Sequence, residues 1–320
     1  MCVYQLEGEV MIVVGGDNLI DMIESTRDTG SVMFAGARGG SGYNTARVVG
    51  RQLQKVGFIT PISTDNLGDF LADALVSDGI ELLSSRSQKP SSMAVVSLKK
   101  GQPSYQFYRN DTAEREVDLP LLQKNFPSLG VAFHLTSLAI IDGPDSVAWA
   151  DFFIAQNKAG IVTTLDPNVR PILIPDRSSY LKRLWLLMSA VDLIKLSDED
   201  LTWIFPEIPF EDACVKLLNK TSAHVTIVTK GKNGVIAFWN NQKIDISAYP
   251  VGDLVDTVGA GDTFMGTVLS FLSANGVLSQ NALPHLSEEF MQTLLLRAAK
   301  AAAINCGRKG CNPPSLKELD

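Results

Sequence analysis

The run Asp256-Thr257-Val258-Gly259-Ala260-Gly261-Asp262-Thr263 holds the side chains best placed for chemistry in this chain of 320 residues. Gly259 and Gly261 let the backbone turn tightly, with no Cβ to keep a ligand away. Phe264, Val268, Leu269, Phe271 and Leu272 then follow at the spacing of one helix face. The first N–H groups of a helix lack intrahelical partners and carry partial positive charge, so they make an anion site. Asp262 would sit at that helix start, able to take a proton from an attacking hydroxyl. The unpaired N–H groups there could stabilise developing phosphate charge beside it. That pairing is the chemistry of phosphoryl transfer. A capped helix after a tight turn uses the same residue types, so the run alone leaves both readings open.

Other stretches offer partners. Asp21 follows the apolar run that ends Val13-Val14-Gly15-Gly16-Asp17-Asn18-Leu19-Ile20 and is expected on a loop just past a strand. Ligands of open α/β sheets bind beyond such strand ends, and a carboxylate there could accept from two vicinal hydroxyls. In Gly36-Ala37-Arg38-Gly39-Gly40-Ser41-Gly42-Tyr43-Asn44-Thr45-Ala46 the glycines precede a helix. A dinucleotide fingerprint needs an acid about twenty residues on, on the next strand. Here the acid, Asp65, falls on a loop, which argues against NAD. No phosphate-binding P-loop sequence occurs anywhere. Asn44 could donate and accept to adjacent hydroxyls.

In Asp166-Pro167-Asn168-Val169-Arg170-Pro171, proline stiffens both sides of Arg170, whose guanidinium could clamp an anion or join a structural ion pair. Lys195-Leu196-Ser197-Asp198-Glu199-Asp200 follows another apolar run, and Ser197 before an acidic first turn has the pattern of a helix cap.

The elements that must position these residues alternate short β-branched runs with longer amphipathic ones, which predicts a mostly parallel sheet flanked by helices. Strands are expected at 10–14, 57–61, 131–135, 161–166, 191–195, 225–229 and 234–239. Helices are expected at 45–56, 70–78, 146–158, 178–189, 210–220, 263–275 and 288–306. Two further strand-like stretches, 31–35 and 93–108, lack crossover helices, and the second reads as a hairpin. No repeat or linker suggests a domain cut, so one domain over 1–320 is expected. Hydrophobic residues at 45% are ample for a core, and a net charge of −7 argues against a nucleic-acid partner. Cys2, Cys214, Cys306 and Cys311 form no CxxC pair and only three histidines accompany them, so no zinc site is expected and the thiols should be free. The start carries no basic n-region, and no apolar run reaches membrane-spanning length. A cytoplasmic protein is the expectation.

The eight-residue run resembles the C-terminal signature of the ribokinase-like (pfkB) carbohydrate kinases, and 36–46 resembles their N-terminal Gly-Gly-x-x-x-Asn-x-Ala. The segment around Asp21 is similar to the family's Gly-Glu-x-Leu-Ile-Asp, with Asp17 in place of the usual Glu. The resemblance covers about residues 10–319 with motifs in family order. It implies a ribokinase-like α/β fold with a small β-sheet lid, from about 16–38 and 92–117, over a sugar site. Asp262 would be the catalytic base and Gly259-Ala260-Gly261 the anion hole. Asp21, Gly39, Gly40, Asn44 and the lid residue Phe107 would meet the sugar, and Arg170 would lie near the sugar or its phosphoryl group.

The nucleotide side would comprise Lys195, Ser197, the Thr-x-Gly turn with Thr229, Gly231 and Gly234, and Asn305 on the final helix. The family's Asn-x-x-Glu, which organises Mg²⁺ largely through water, is here Ser197 to Asp200, so Asp200 is the metal residue implied. ATP and Mg²⁺, and K⁺ in many members, are the implied cofactors, and a homodimer through the lid is a family habit. Tyr105-Gln106-Phe107-Tyr108-Arg109-Asn110-Asp111-Thr112-Ala113-Glu114-Arg115 resembles the fructokinase stretch Phe-Tyr-Arg-x-x-Thr-Ala-x-Arg. Fructose is therefore the first substrate expected. The 2-keto-3-deoxygluconate kinases carry a related stretch in which the Arg holds a carboxylate, and Arg109 and Arg170 keep that alternative open. A non-catalytic sugar-binding protein on the same scaffold is the remote third reading.

Overall fold

Strand β1 (Met11–Gly15) is buried at every position, and its side chains alternate between two apolar layers. Met11 and Val13 enter one, Ile12 and Val14 the other. A strand covered on both faces reads as a continuous apolar run, as parallel strands between helices do. The computed structural model describes residues 10–27, 30–99 and 102–320, so Cys2, the initial segment and the hairpin tip at 100–101 lie outside the described residues.

In chain order the next strands are β2 (Leu19–Arg27), β3 (Val32–Gly39), β4 (Val56–Phe58), β5 (Glu81–Leu82), β6 (Ser92–Lys99) and β7 (Gln102–Tyr108). They are followed by β8 (Gly130–Thr136), β9 (Val162–Asp166), β10 (Leu193–Ser197), β11 (Val225–Thr229), β12 (Val235–Trp239) and β13 (Gln242–Ile246). The main sheet runs β13-β12-β11-β10-β9-β8-β1-β4-β5 and is parallel from β5 to β11; β12 and β13 turn back antiparallel. The small sheet runs β3-β2-β6-β7, with β2 and β6 parallel and both edges antiparallel.

The helices are α1 (Ser41–Arg51), α2 (Asn66–Ser77), α3 (Leu119–Asn125), α4 (Gly143–Lys158), α5 (Arg177–Met188), α6 (Asp198–Ile204), α7 (Phe210–Leu218), α8 (Ala260–Ala274), α9 (Glu288–Cys306) and the terminal turn α10 (Leu316–Leu319). Apolar faces of α1, α2, α8 and α9 pack one side of the main sheet, and those of α3 to α7 the other. On the second side Phe133 of β8 meets Trp149, Phe152 and Phe153 of α4 ring to ring. No helix among the described residues is long and apolar enough to cross a membrane. Cys214, Cys306 and Cys311 are free thiols.

The expected strands of the main sheet and the long helices are present, with three informative differences. Helix α1 begins at Ser41 rather than 45, and α8 at Ala260 rather than 263, because the glycine-containing turns enter the helix. Asp21, expected on a loop, lies within β2, where it pairs with Ala37 of β3 and Ala94 of β6. Helices α3 and α6 and strands β5 and β13 carry too little apolar periodicity to be foreseen.

Candidate active site

Helix α8 starts where the sequence placed an anion site. Its cap, Gly259, has φ 73°, and a Cβ there would fall 2.3 Å from Sγ of Cys311, so only glycine fits. Ala260 N–H donates to Thr257 O at 3.2 Å, which removes it from the expected hole. Among the described residues the amides of Gly259, Gly261 and Asp262 meet no acceptor, and these three are the donors available to an anion. Asp262 is almost wholly buried beside them. Its Oδ1 accepts from Ser41 Oγ–H at 2.6 Å and its Oδ2 from Asn44 Nδ2 at 2.8 Å. Burial pushes its carboxyl above the usual range, the two hydrogen bonds pull it back, Asp166 raises it and Lys195 lowers it. The balance is upward, toward a stronger base.

Beneath this cluster a buried ion pair joins two strand ends. Lys195 Nζ on β10 donates to Asp166 Oδ2 on β9 at 2.9 Å. A Cβ on Gly261 would lie 2.8 Å from that Nζ, so the ammonium faces the floor of the anion site. Burial opposes the Lys195 charge, but Asp166, Asp200 and Asp262 outweigh it and its pKa is raised. His134 on β8, held by Thr164 Oγ1 at 2.9 Å, is pushed down to about 3 by burial and then by Lys195. It stays neutral and is no competitor to Asp262 as a base.

Asp200 is tied to backbone on two sides. Its Oδ1 accepts from Val169 N–H at 2.8 Å and its Oδ2 from Ser197 N–H at 3.0 Å, while Ser197 Oγ accepts from Asp200 N–H at 3.0 Å. This is a capping box at the start of α6 that also fixes the loop before Arg170. Each carboxylate oxygen accepts from one backbone N–H, and no cluster of three or more metal-ligating side chains occurs among the described residues. The residues present therefore form no protein cage around a bare Mg²⁺. They fit an ion that stays largely hydrated and arrives on phosphate oxygens.

Toward the lid, Asp21 lies directly over Gly39: a Cβ there would fall 2.3 Å from its Oδ2. Burial pushes Asp21 up to about 6, and the charge of Arg170 pulls the other way. Arg170 is exposed, with Nη1 held by the carbonyls of Asn168 and Val169 at 3.2 and 3.1 Å. Gly40 caps α1 at φ 108°. Phe107 on β7 is half-buried against the main core.

Arg109 is buried where the chain leaves β7. Its Nε donates to Glu114 Oε1 at 2.6 Å and its Nη2 to Leu138 O at 3.3 Å, inside the protein. Glu114 also accepts from Asn18 N–H at 3.1 Å and Ser92 Oγ–H at 2.8 Å. One buried carboxylate thus gathers the chain as it enters β2, enters β6 and leaves β7. Arg109 thus ties the root of the small sheet together. The Asn44 amide donates to Asp262, and its Oδ1 is buried without a protein partner.

On the nucleotide side, Thr229 closes β11 and Gly231 and Gly234 have φ 51° and 90° in the turn that follows. A cavity of about 700 Å³ flanks this turn, lined by Lys230, Asn233, Asp198, Glu199, Thr202 and Trp203 among others, and none of the partners of Asp262 lines it. Asn305 is fully buried: Nδ2 donates to Val258 O and Oδ1 accepts from Asn312 N–H, each at 2.8 Å. Gly310 N–H donates to Asp256 Oδ2 at 2.9 Å. The tail after α9 therefore pins the loop before the anion site. The sequence motifs did not reveal Ser41, Thr136, Glu114 or the Asp166–Lys195 pair. Only the last carried a signal, as charged residues ending two apolar runs.

The site thus sets a buried acid beside three open amides at a helix start. The pfkB family carbohydrate kinase description fits residues 11–318. The chain belongs to that family. A fructokinase of Rhizobium leguminosarum bv. trifolii is 31% identical over 286 residues, covering 88% of this chain and 86% of the relative. A probable fructokinase-5 of Arabidopsis thaliana is 28% identical over 309 residues, covering 95% and 93%. Among solved structures, a fructokinase with bound ATP from Xylella fastidiosa superposes with a TM-score of 0.86 at 26% identity, covering 97% of each chain. This pfkB kinase thus has the ribokinase-like fold, and its reaction is sugar phosphorylation.

Proposed function

We propose that the sugar is D-fructose, phosphorylated at its 6-hydroxyl by ATP. The observation that carries the chemistry is Asp262 beside the open amides of Gly259, Gly261 and its own N–H. In this reading Asp21 accepts hydrogen bonds from two sugar hydroxyls, with Gly39 and Gly40 admitting the ring and Phe107 covering it. The 6-hydroxyl proton passes to Asp262. The oxygen attacks the γ-phosphorus, and the bond to the bridging oxygen of ADP breaks. The open amides, Arg170 and the Lys195 ammonium stabilise the charge on the transferring group, so the protein works by position and electrostatics. Mg²⁺ belongs to the ATP substrate, and Thr229, Gly231, Gly234 and Ser197 border the nucleotide. A single domain, a K⁺ requirement and a cytoplasmic location, in keeping with the free thiols, complete the proposal. So does a homodimer through the lid, whose Ile23, Met33, Phe34, Tyr105 and Tyr108 are exposed.

Two observations bear on the sugar. The commitment of Arg109 to Glu114 leaves one arginine, not two, for a substrate carboxylate, which favours fructose. Arg170, exposed beside Asp21, supports 2-keto-3-deoxygluconate as the second reading. A coupled assay of ADP formation over fructose, 2-keto-3-deoxygluconate, ribose and adenosine tests the proposal. Turnover on fructose is the expected result. Strong turnover on the keto-acid alone overturns it, and ATP consumption indifferent to every sugar would leave a binding protein.

A further inference from the structure

Ser41 occupies a variable position of the Gly-Gly-x-x-x-Asn string, yet it makes the shortest contact to the acid at the centre of the site. Its Oγ lies 2.6 Å from Asp262 Oδ1 and 2.8 Å from Thr136 Oγ1. An ionised carboxylate only accepts, so the single Ser41 proton is directed at Asp262. Ser41 must then accept from Thr136, whose hydroxyl is fully buried at the end of β8. The hydrogen bonds run one way, from Thr136 to Ser41 to Asp262. Ser41 is itself held in place: its N–H donates to Asp17 Oδ2 at 3.0 Å. Each carboxylate oxygen carries two lone pairs, so a sugar hydroxyl can approach Asp262 without displacing either Ser41 or Asn44.

We propose that Ser41, aligned by Thr136, is the positioning residue of the base, fixing the orientation of the Asp262 carboxylate and favouring its charged form. The inference rests on Asp262 acting as the base in the function proposed above. Other groups that face Asp262 are Asn44 on α1, Asp166 on β9, Lys195 on β10 and Cys311 in the tail, with Asp17 beyond the Ser41 amide. All of these are unchanged by substitution of Ser41. Of the two hydroxyls, Ser41 alone touches the carboxylate. Removing its proton withdraws a charge-assisted hydrogen bond from the ionised form. The proton affinity of Asp262 then rises.

The test is the pH dependence of kcat for Ser41→Ala at saturating sugar and ATP, conditions under which Asp21 is covered by its ligand. The expected result is a low-pH limb displaced upward by about one pH unit, from the strength of a hydrogen bond to a charged group. Turnover then falls about tenfold below the limb and recovers on the alkaline plateau. Thr136→Val, nearly isosteric, should move the limb in the same direction by less, and it stands in if Ser41→Ala fails to fold. An unmoved limb, or a loss of kcat equal at every pH, overturns the proposal. The wild-type control separates the two claims. Absence of sugar-dependent turnover there removes the kinase reading, whereas a normal wild type with an unmoved variant limb removes only the role of Ser41.

Discussion

The main sheet and the small lid sheet are built from opposite materials. Strands β1 and β9 are buried along their whole length, whereas β3 is exposed from Val32 to Gly36 and is closed off only where it reaches Gly39. The reacting group, Asp262, is held by hydrogen bonds from α1 and by charges at the ends of β9 and β10. The lid instead converges on one side chain, Glu114, and leaves its outer face open. Chemistry that depends on sub-ångström placement sits on the over-determined part. In the proposed reading, coverage of the sugar falls to the part whose outer face is exposed.

If that division holds, substitutions in the two regions should differ in kind. Asp262→Asn should lower kcat by about 10²- to 10⁴-fold, the range of a general base, with ATP affinity by calorimetry unchanged. Near-normal turnover would break the comparison at its centre. Phe133→Ala, in the aromatic cluster of the main sheet, should cost about 3–5 kcal/mol of stability in denaturant unfolding. Asp21→Asn should raise KM for the sugar about tenfold or more while kcat changes less, since it removes a charged acceptor worth about 1.5–3 kcal/mol.

The pH dependence sharpens the same point. Asp21 titrates at about 6 because burial disfavours its charge, and only the carboxylate accepts from two hydroxyls. The KM for sugar should therefore rise as pH falls through about 6, and Asp21→Asn should abolish that limb. The smallest effect belongs to Tyr105→Ser on the exposed lid face, within about 0.5 kcal/mol of wild-type stability. A multi-kilocalorie loss there would show that the lid is held from outside, by a second copy of the chain.

The main sheet was legible because its strands are apolar on both faces and its helices periodic. The lid was less so: Leu19–Arg27 carries Asp21, Glu24 and Arg27 among its apolar residues, and Asp21 was read as loop. Site residues were legible where chemistry and backbone coincide, as in Gly259-Ala260-Gly261-Asp262. They were not where the partner is distant in sequence. Nothing local to Ser41 announces that it meets a residue 221 positions away. Asp200, Arg109 and Asn305 show the converse, motif residues whose contacts to backbone or to a neighbouring side chain the motif did not announce. For Asp200 the Ser-x-x-Asp spacing already spelled a capping box.

The segment after α9 serves the start of α8 from outside both sheets. Gly310, Cys311 and Asn312 brace the loop and the glycine that open that helix. A chain stopped after Gly307 should keep its sheet yet lose ATP affinity, a loss that calorimetry would register. In the proposed reading the grip on the nucleotide thus depends on a segment that neither sheet needs.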